Sequence, residues 1–254
     1  MLSSGVSSAY ACKLMLDEVG KENSVLFFTD TLMEDEDNYR FLDEIAVHLG
    51  AEFVRVDTGE NPFDLFDRRG VLANDRIPVC SHELKLAQTK RYAQPGDTLW
   101  WGIDWEEQHR AGPIERNWSA AGIHSRFPLI EQLTLHQARF DWLKAIGIEP
   151  PRMYALGFAH ANCGGICVRG KLGHWAHLYR TWPERYAYAE RREQEWQRKH
   201  GKDNTILRKS IGGEYQNLSL KRFREEYLEG QLFSDSYDLD SGACACMVTY
   251  AEPE

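Results

Sequence analysis

The chain has no apolar run near the roughly 18 residues that a membrane-spanning helix needs, and no internal repeat or low-complexity tract. A membrane-embedded protein, a repeat array and a disordered linker are set aside on that ground. Cysteine is sparse, with six irregularly spaced residues in 254. With no export signal ahead of the first motif, that pattern predicts reduced thiols or a metal site over a disulfide framework, in a soluble cytoplasmic protein. Positive charge is in deficit: 30 Lys and Arg stand against 39 Asp and Glu, a net −9 that disfavours non-specific nucleic-acid binding by the whole molecule. The deficit is uneven. Between residues 169 and 224 there are 14 Lys and Arg against 6 Asp and Glu, so this stretch is the one candidate polyanion surface.

What is present begins with Ser3-Ser4-Gly5-Val6-Ser7-Ser8. A turn of Ser and Gly lets backbone N–H groups converge on one point, and a helix behind it adds the positive end of its dipole. Val6, Tyr10, Leu14 and Leu16, with Ala9 and Ala11, supply that helix with an apolar stripe. The turn is therefore an anion cradle suited to a phosphate or pyrophosphate. Ser24 to Thr29 reads as a buried strand ending at Asp30-Thr31, and helix and strand then alternate. Ligands of open α/β sheets gather at the carboxyl ends of the strands, where both the cradle and Asp30 fall. The fold class is α/β, a Rossmann-like parallel sheet flanked by helices, with residues 1–160 as a nucleotide-binding domain and 161–254 as a helical, cysteine-bearing elaboration.

Further along, a helix from about Asp35 to Leu49 closes at Gly50, a strand covers Glu52 to Val56, and Asn61-Pro62 opens another helix that ends at Gly70. Cys80 precedes a helix from about Ser81 to Tyr92, with Lys85 about one turn in, and Thr98 to Ile103 reads as a strand. Asp104 to Ser125 is expected as a polar loop. Thr134 to Gln137 has the form of a capping box for a helix whose core side carries Leu135, Phe140, Leu143 and Ile146. Pro183 opens a charged helix to about His200, and a short helix from Ser219 to Glu229 precedes a polar tail ending in Cys244-Ala245-Cys246.

Cys163 and Cys167 are separated by three residues, two of them glycine, a spacing that lets both sulfurs turn toward one centre. With Cys80 and the tail pair Cys244 and Cys246, sulfurs from three separated segments suit zinc or an iron–sulfur cluster. The rival reading keeps Cys80 and Cys163 buried and makes Cys244 or Cys246 a redox thiol that attacks a sulfur-containing substrate; in a third, the cysteines are inert. Cys12 is read as core.

With Ser3 to Ser8, Asp30-Thr31, Cys80 to Lys85, Gly102 to Arg110, Pro128-Leu129 and Cys163 to Cys167 in place, the chain resembles the phosphoadenylyl-sulfate reductase family of the adenine nucleotide alpha-hydrolase, or PP-loop, superfamily, and within it the reductase-like proteins of phage and prophage genomes. The resemblance spans residue 3 to the cysteine tail. It implies that Ser3, Ser4, Gly5, Ser7 and Ser8 hold the phosphates of ATP, adenylyl sulfate or phosphoadenylyl sulfate, with Asp30 and Thr31 near the adenosine. It also implies that Lys85, Arg110 and Arg116 neutralise the phosphate or sulfate end, and that Cys80, Cys163, Cys167 and a tail cysteine ligate a [4Fe-4S] cluster, with zinc as the alternative metal. Four departures stand out. Ser7 replaces a common Asp that would help hold Mg²⁺, and Ser4 replaces a Gly. So little precedes Ser3 that the first strand is expected to be missing or to lie outside the given sequence, and the tail lacks the reductases' Cys-Gly-Leu-His ending.

Three functions follow. The first is reduction of a sulfonucleotide, in which Cys244 or Cys246 attacks the sulfate sulfur and a thioredoxin-like dithiol releases sulfite. The second is an ATP pyrophosphatase that adenylates a nucleic acid for thio-modification, with a sulfur donor as partner and residues 169–224 on the polyanion. The third is a non-catalytic nucleotide- or cluster-binding module.

Overall fold

The computed structural model describes residues 1–230, so Cys244, Cys246 and the rest of the tail lie outside the described residues. Among the described residues the protein is a mixed α/β molecule with two short parallel strand pairs, one antiparallel hairpin and no closed barrel. Its strands are β1 (Val25–Thr29), β2 (Glu52–Val56), β3 (Thr98–Trp100), β4 (His124–Arg126), β5 (Leu207–Ile211) and β6 (Glu214–Leu218). β1 pairs with β2 and β3 with β4, both parallel, while β5 and β6 form an antiparallel hairpin. Leu2 N–H donates to Phe27 O (3.0 Å) and the Met1 amine to Trp100 O (2.9 Å). Residues 1–2 therefore run between the two parallel pairs. What forms is two bridged pairs in place of the expected continuous sheet.

The main helices are α1 (Val6–Val19), α2 (Glu36–Leu49), α3 (Pro62–Arg69), α4 (Ala87–Tyr92, preceded by a π-helical stretch Ser81–Leu86), α5 (Ala111–Ser119), α6 (Pro128–Glu131), α7 (His136–Ile146), α8 (Arg152–Ala155), α9 (Leu172–Thr181) and α10 (Pro183–His200). α1 sinks Val6, Ala9, Cys12 and Met15 into a core shared with β1 and α2, each larger aliphatic side chain contributing roughly 1.5–3 kcal/mol. Cys12 is core, as read. Asp35 caps α2 by accepting from Asp37 N–H (3.0 Å), and Asn61 caps α3 by accepting from Phe63 N–H (2.9 Å). Gly50, Gly70 and Gly201 close α2, α3 and α10 in left-handed geometry. A second core joins Phe63, Leu65 and Phe66 of α3 to Trp175 of α9 and Trp196 of α10, so residues from both sides of position 160 share it.

Two expectations fail for identifiable reasons. The stretch 104–125 is not a loop: a 3₁₀ turn (Trp105–Arg110) leads into α5 and β4, because Ile114 and Trp118 fall four residues apart and bury against Trp101, Ile103 and Phe127. Nor does Thr134 cap α7. Leu133 turns left-handed (φ 50°) and Thr134 N–H is spent on Leu129 O (2.9 Å), so the helix starts two residues later with Leu135 as an N-cap exposed to solvent. Gln137 then donates to Asp141 (2.8 Å) instead of reaching back.

Candidate functional site

Ser3 to Ser8 forms a turn stapled by its own hydroxyls at the start of α1. Ser8 Oγ accepts from Ser3 N–H (2.9 Å) and from Ser3 Oγ (2.8 Å), and Ser4 Oγ donates to Ala161 O (2.7 Å). Arg139, 2 % exposed, donates from Nη1 to Ser7 Oγ (2.6 Å) and forms an ion pair with Asp104. The first-turn N–H groups of α1 have no helical acceptors, which makes the turn a site of positive potential. Gly5 has ordinary backbone (φ −98°), and a Cβ there would meet nothing closer than Tyr154 Oη at 3.4 Å. Gly102 is the glycine this turn requires: its Cβ would stand 2.6 Å from Ser8 Cα and 2.7 Å from Ser8 N. The chain leaving β3 thus packs directly on the cradle.

The turn opens on a cavity of about 810 Å³. Its walls include the end of β1 (Phe28, Thr29), Trp101 to Asp104, Arg110, Arg139, Tyr154, the segment Ala159 to Asn162, and Glu34, Lys85, Arg169 and Lys171. Asp30 does not line it. Its fully buried carboxylate accepts from Leu32 N–H (2.8 Å), Tyr39 Oη (2.9 Å) and Arg55 Nε (2.9 Å), holding the turn after β1 in shape. Arg116 is exposed on α5 and also lies outside the lining, whereas Arg110 is buried in the wall and paired with Glu107 at 2.5 Å.

Glu34 is the hub that sequence reasoning missed. Its carboxylate accepts from Cys163 N–H (2.8 Å), Asn38 Nδ2 (3.2 Å), Thr31 Oγ1 (3.4 Å) and Ser4 Oγ (3.5 Å), and Lys85 Nζ stands 3.9 Å away. Burial raises its pKa, opposed by Lys85 and by the Cys163 and Asn38 donors. Behind Glu34 and Lys85 lie the thiols. Cys163, Gly164 and Gly165 are consecutive left-handed residues (φ 48°, 56° and 86°). Such a run is strained at Cys163 and restricted to glycine at the other two. A Cβ on Gly164 would come within 2.9 Å of Met33 O, and one on Gly165 within 2.9 Å of Leu178 Cδ1. His174 pins the loop by a 2.7 Å hydrogen bond from Nε2 to Gly165 O, and burial lowers its pKa to about 4.

The loop brings Cys163 and Cys167 into the electrostatic reach of Cys80, at the front of the π-helical stretch. Burial pushes the Cys163 thiol well up, and burial with the neighbouring Cys167 pushes Cys80 up to about 11, with Lys85 opposing both shifts. Lys85 is itself buried, which works against its charge, but Cys163, Glu34, Cys167 and Cys80 outweigh that and raise its pKa. Thiols so buried are poor free nucleophiles and suit soft-metal coordination, in which the metal takes the place of the protons. Among the described residues, no group of three or more His, Cys, Asp or Glu is drawn tightly enough to hold a metal ion as it stands.

The structure thus gathers Ser3, Ser4, Gly5, Ser7, Ser8, Lys85 and Arg110 around one cavity, with Thr31, Cys80, Cys163 and Cys167 behind its Glu34–Lys85 wall. Arg139 was missed along with Glu34, and Gly102 was read only as the first residue of the Gly102–Arg110 motif. A signal existed for Arg139, a charge one helical turn before the buried Leu143 on the core side of α7, and for Gly102, a glycine closing an aromatic strand. Glu34 sits in an acidic run that reads as an ordinary helix start. No protein-family model matches the chain, and neither does any curated protein or solved structure compared with it.

Proposed function

We propose that the chain is an adenine-nucleotide-binding enzyme of sulfur chemistry, a sulfonucleotide reductase or sulfur-transfer enzyme of the adenine nucleotide alpha-hydrolase type. The observation that carries this is the single wall, Glu34 with Lys85, shared by the Ser3–Ser8 cradle and the Cys80, Cys163 and Cys167 thiols. The nucleotide's phosphates would lie on the cradle and its charged end toward Lys85 and Arg110. Cys80, Cys163 and Cys167 would hold three positions of an iron–sulfur cluster, or of zinc, which when bound supplies a concentrated charge beside the nucleotide. The attacking thiol of the reductase reading, Cys244 or Cys246, lies outside the described residues.

A second reading, ATP-driven adenylation of a nucleic acid, draws on Arg169 and Lys171, basic residues of the 169–224 stretch that line the same cavity. Elsewhere several cations of that stretch are ion-paired: Arg185 with Asp35, Arg192 with Asp64, Arg208 with Asp75 and Arg224 with Glu190. The reductase reading is therefore preferred. Anaerobic purification with iron, sulfide and zinc analysis, then assays with adenylyl sulfate, phosphoadenylyl sulfate and ATP, tests both. Sulfite release with thioredoxin supports the first, and pyrophosphate release stimulated by DNA or tRNA supports the second. Nucleotide binding with neither product leaves a binding module.

A further inference from the structure

We infer that Arg185 is the positioning residue of the thiol loop: its guanidinium fixes the left-handed turn through Cys163 and Gly164, and so sets where Cys163 and Cys167 present their sulfurs to a soft metal. The inference rests on the reading of those thiols as metal ligands given above. Arg185 lies in the first turn of α10, 21 residues along the chain from Gly164 and outside the cavity lining, so it works through the backbone it holds.

The guanidinium is held from three directions. Nη1 donates to Gly164 O (2.7 Å), Nη2 is ion-paired with Asp35, and Cζ lies 3.9 Å from the centroid of the Trp182 ring. Trp182 is itself stacked on Phe158, with ring centroids 5.2 Å apart. A Cβ on Gly164 would stand 2.9 Å from Nη1, so the group packs directly on the loop. Asp35 is fully buried and also pairs with Arg152 (2.8 Å), while its neighbour Glu34 accepts from Cys163 N–H (2.8 Å). Two consecutive acidic side chains at the entry to α2 thus grip both polar ends of the Cys163–Gly164 pair, one directly and one through Arg185. Cys163, with φ 48°, is the residue of that pair for which left-handed backbone is strained, and such a conformation persists only where neighbours enforce it. Desolvating a buried ion pair offsets most of its attraction, so what the Asp35–Arg185 pair supplies is geometry. A planar fork serves an acceptor on each edge at once, which a lysine ammonium on a flexible stem does not.

The test is zinc binding by the reduced full-length protein, read by competition with a chromogenic chelator, alongside urea unfolding of the metal-free form. Arg185→Met removes the grip on Gly164 O while Arg152 stays on Asp35, and zinc affinity is expected to fall roughly tenfold. Arg152→Met takes a cation from the same carboxylate without touching the loop, and should bind zinc as the wild type does. Arg185→Lys, which keeps the charge and folds even where Arg185→Met does not, should recover only part of the loss at an unchanged urea midpoint, a pattern that a merely structural role for Arg185 would not produce. Wild-type zinc affinity in either Arg185 variant, or equal losses in Arg185→Met and Arg152→Met, would overturn the inference while leaving the metal reading standing. No zinc uptake by the wild type would overturn the metal reading and this inference with it.

Discussion

The two ends of the cavity are built in opposite ways. The Ser3–Ser8 end is six consecutive residues in unstrained backbone, stapled by the Ser3 and Ser8 hydroxyls and continued by α1, with Ala161 and Arg139 as its outside partners at Ser4 and Ser7. The sulfur end is collected from residues 31, 34, 80, 85, 163, 167 and 174, and its central loop runs through three left-handed residues, one of them not glycine. Strain of this kind costs about 1–3 kcal/mol per residue and persists only where surrounding structure enforces it. A local loop can form early and tolerate change. A collected one depends on everything packed around it.

The sharpest way to break that contrast is a pair of glycine substitutions. Gly164→Ala forces a Cβ into left-handed backbone 2.9 Å from Met33 O, and is expected to cost about 2–4 kcal/mol, whereas Gly5→Ala should cost less than about 0.5 kcal/mol. Urea unfolding midpoints check both, and equal losses would erase the distinction. Next in size is Lys85→Met, which leaves buried Glu34 facing the thiols without its cation. The expected loss is about 1–3 kcal/mol, together with slower alkylation of Cys80 at pH 8, because Lys85 opposes the upward shift of that thiol.

The His174 contact gives a pH signature confined to the sulfur end. Burial lowers its folded-state pKa from 6.5 to about 4, so its contribution is complete above 6.5 and is lost as pH falls through 4. The nearby His160 and His177 push in the same direction. The stability gap between wild type and His174→Gln, measured by urea unfolding, should therefore narrow from pH 7 to pH 4, and a constant gap would contradict the assignment. The smallest effect belongs to Arg116→Ala. Exposed and outside the cavity, it should change neither stability, beyond about 0.5 kcal/mol, nor nucleotide affinity.

The same contrast explains what could be read from the residues alone. The cradle, its helix, β1, the Gly50 and Gly70 stops and the Pro183 helix are encoded within a few positions each, and local periodicity and capping chemistry reveal them. The Cys163 loop was legible as a motif because its two glycines announce an unusual backbone. Glu34 was not, since nothing near it in sequence says that Cys163, Ser4 and Lys85 will converge on it. Asp30 looked like a ligand-facing carboxylate because it ends a buried strand, yet Arg55 and Tyr39 claim it. Arg116 and Arg110 were indistinguishable as charges on one segment until α5 and the 3₁₀ turn before it set one outward and one into the wall.

The central claim is that the nucleotide cavity and the thiol group share the Glu34–Lys85 wall. The most direct test is to measure alkylation of Cys163 in reduced, metal-free protein by mass spectrometry, with and without saturating adenine nucleotide. Cys163 is buried against Glu34, so an occupied cavity should slow its modification several-fold, while Cys12, sealed in the α1 core, stays unresponsive in both states. Bound nucleotide that leaves the Cys163 rate unchanged would contradict the account.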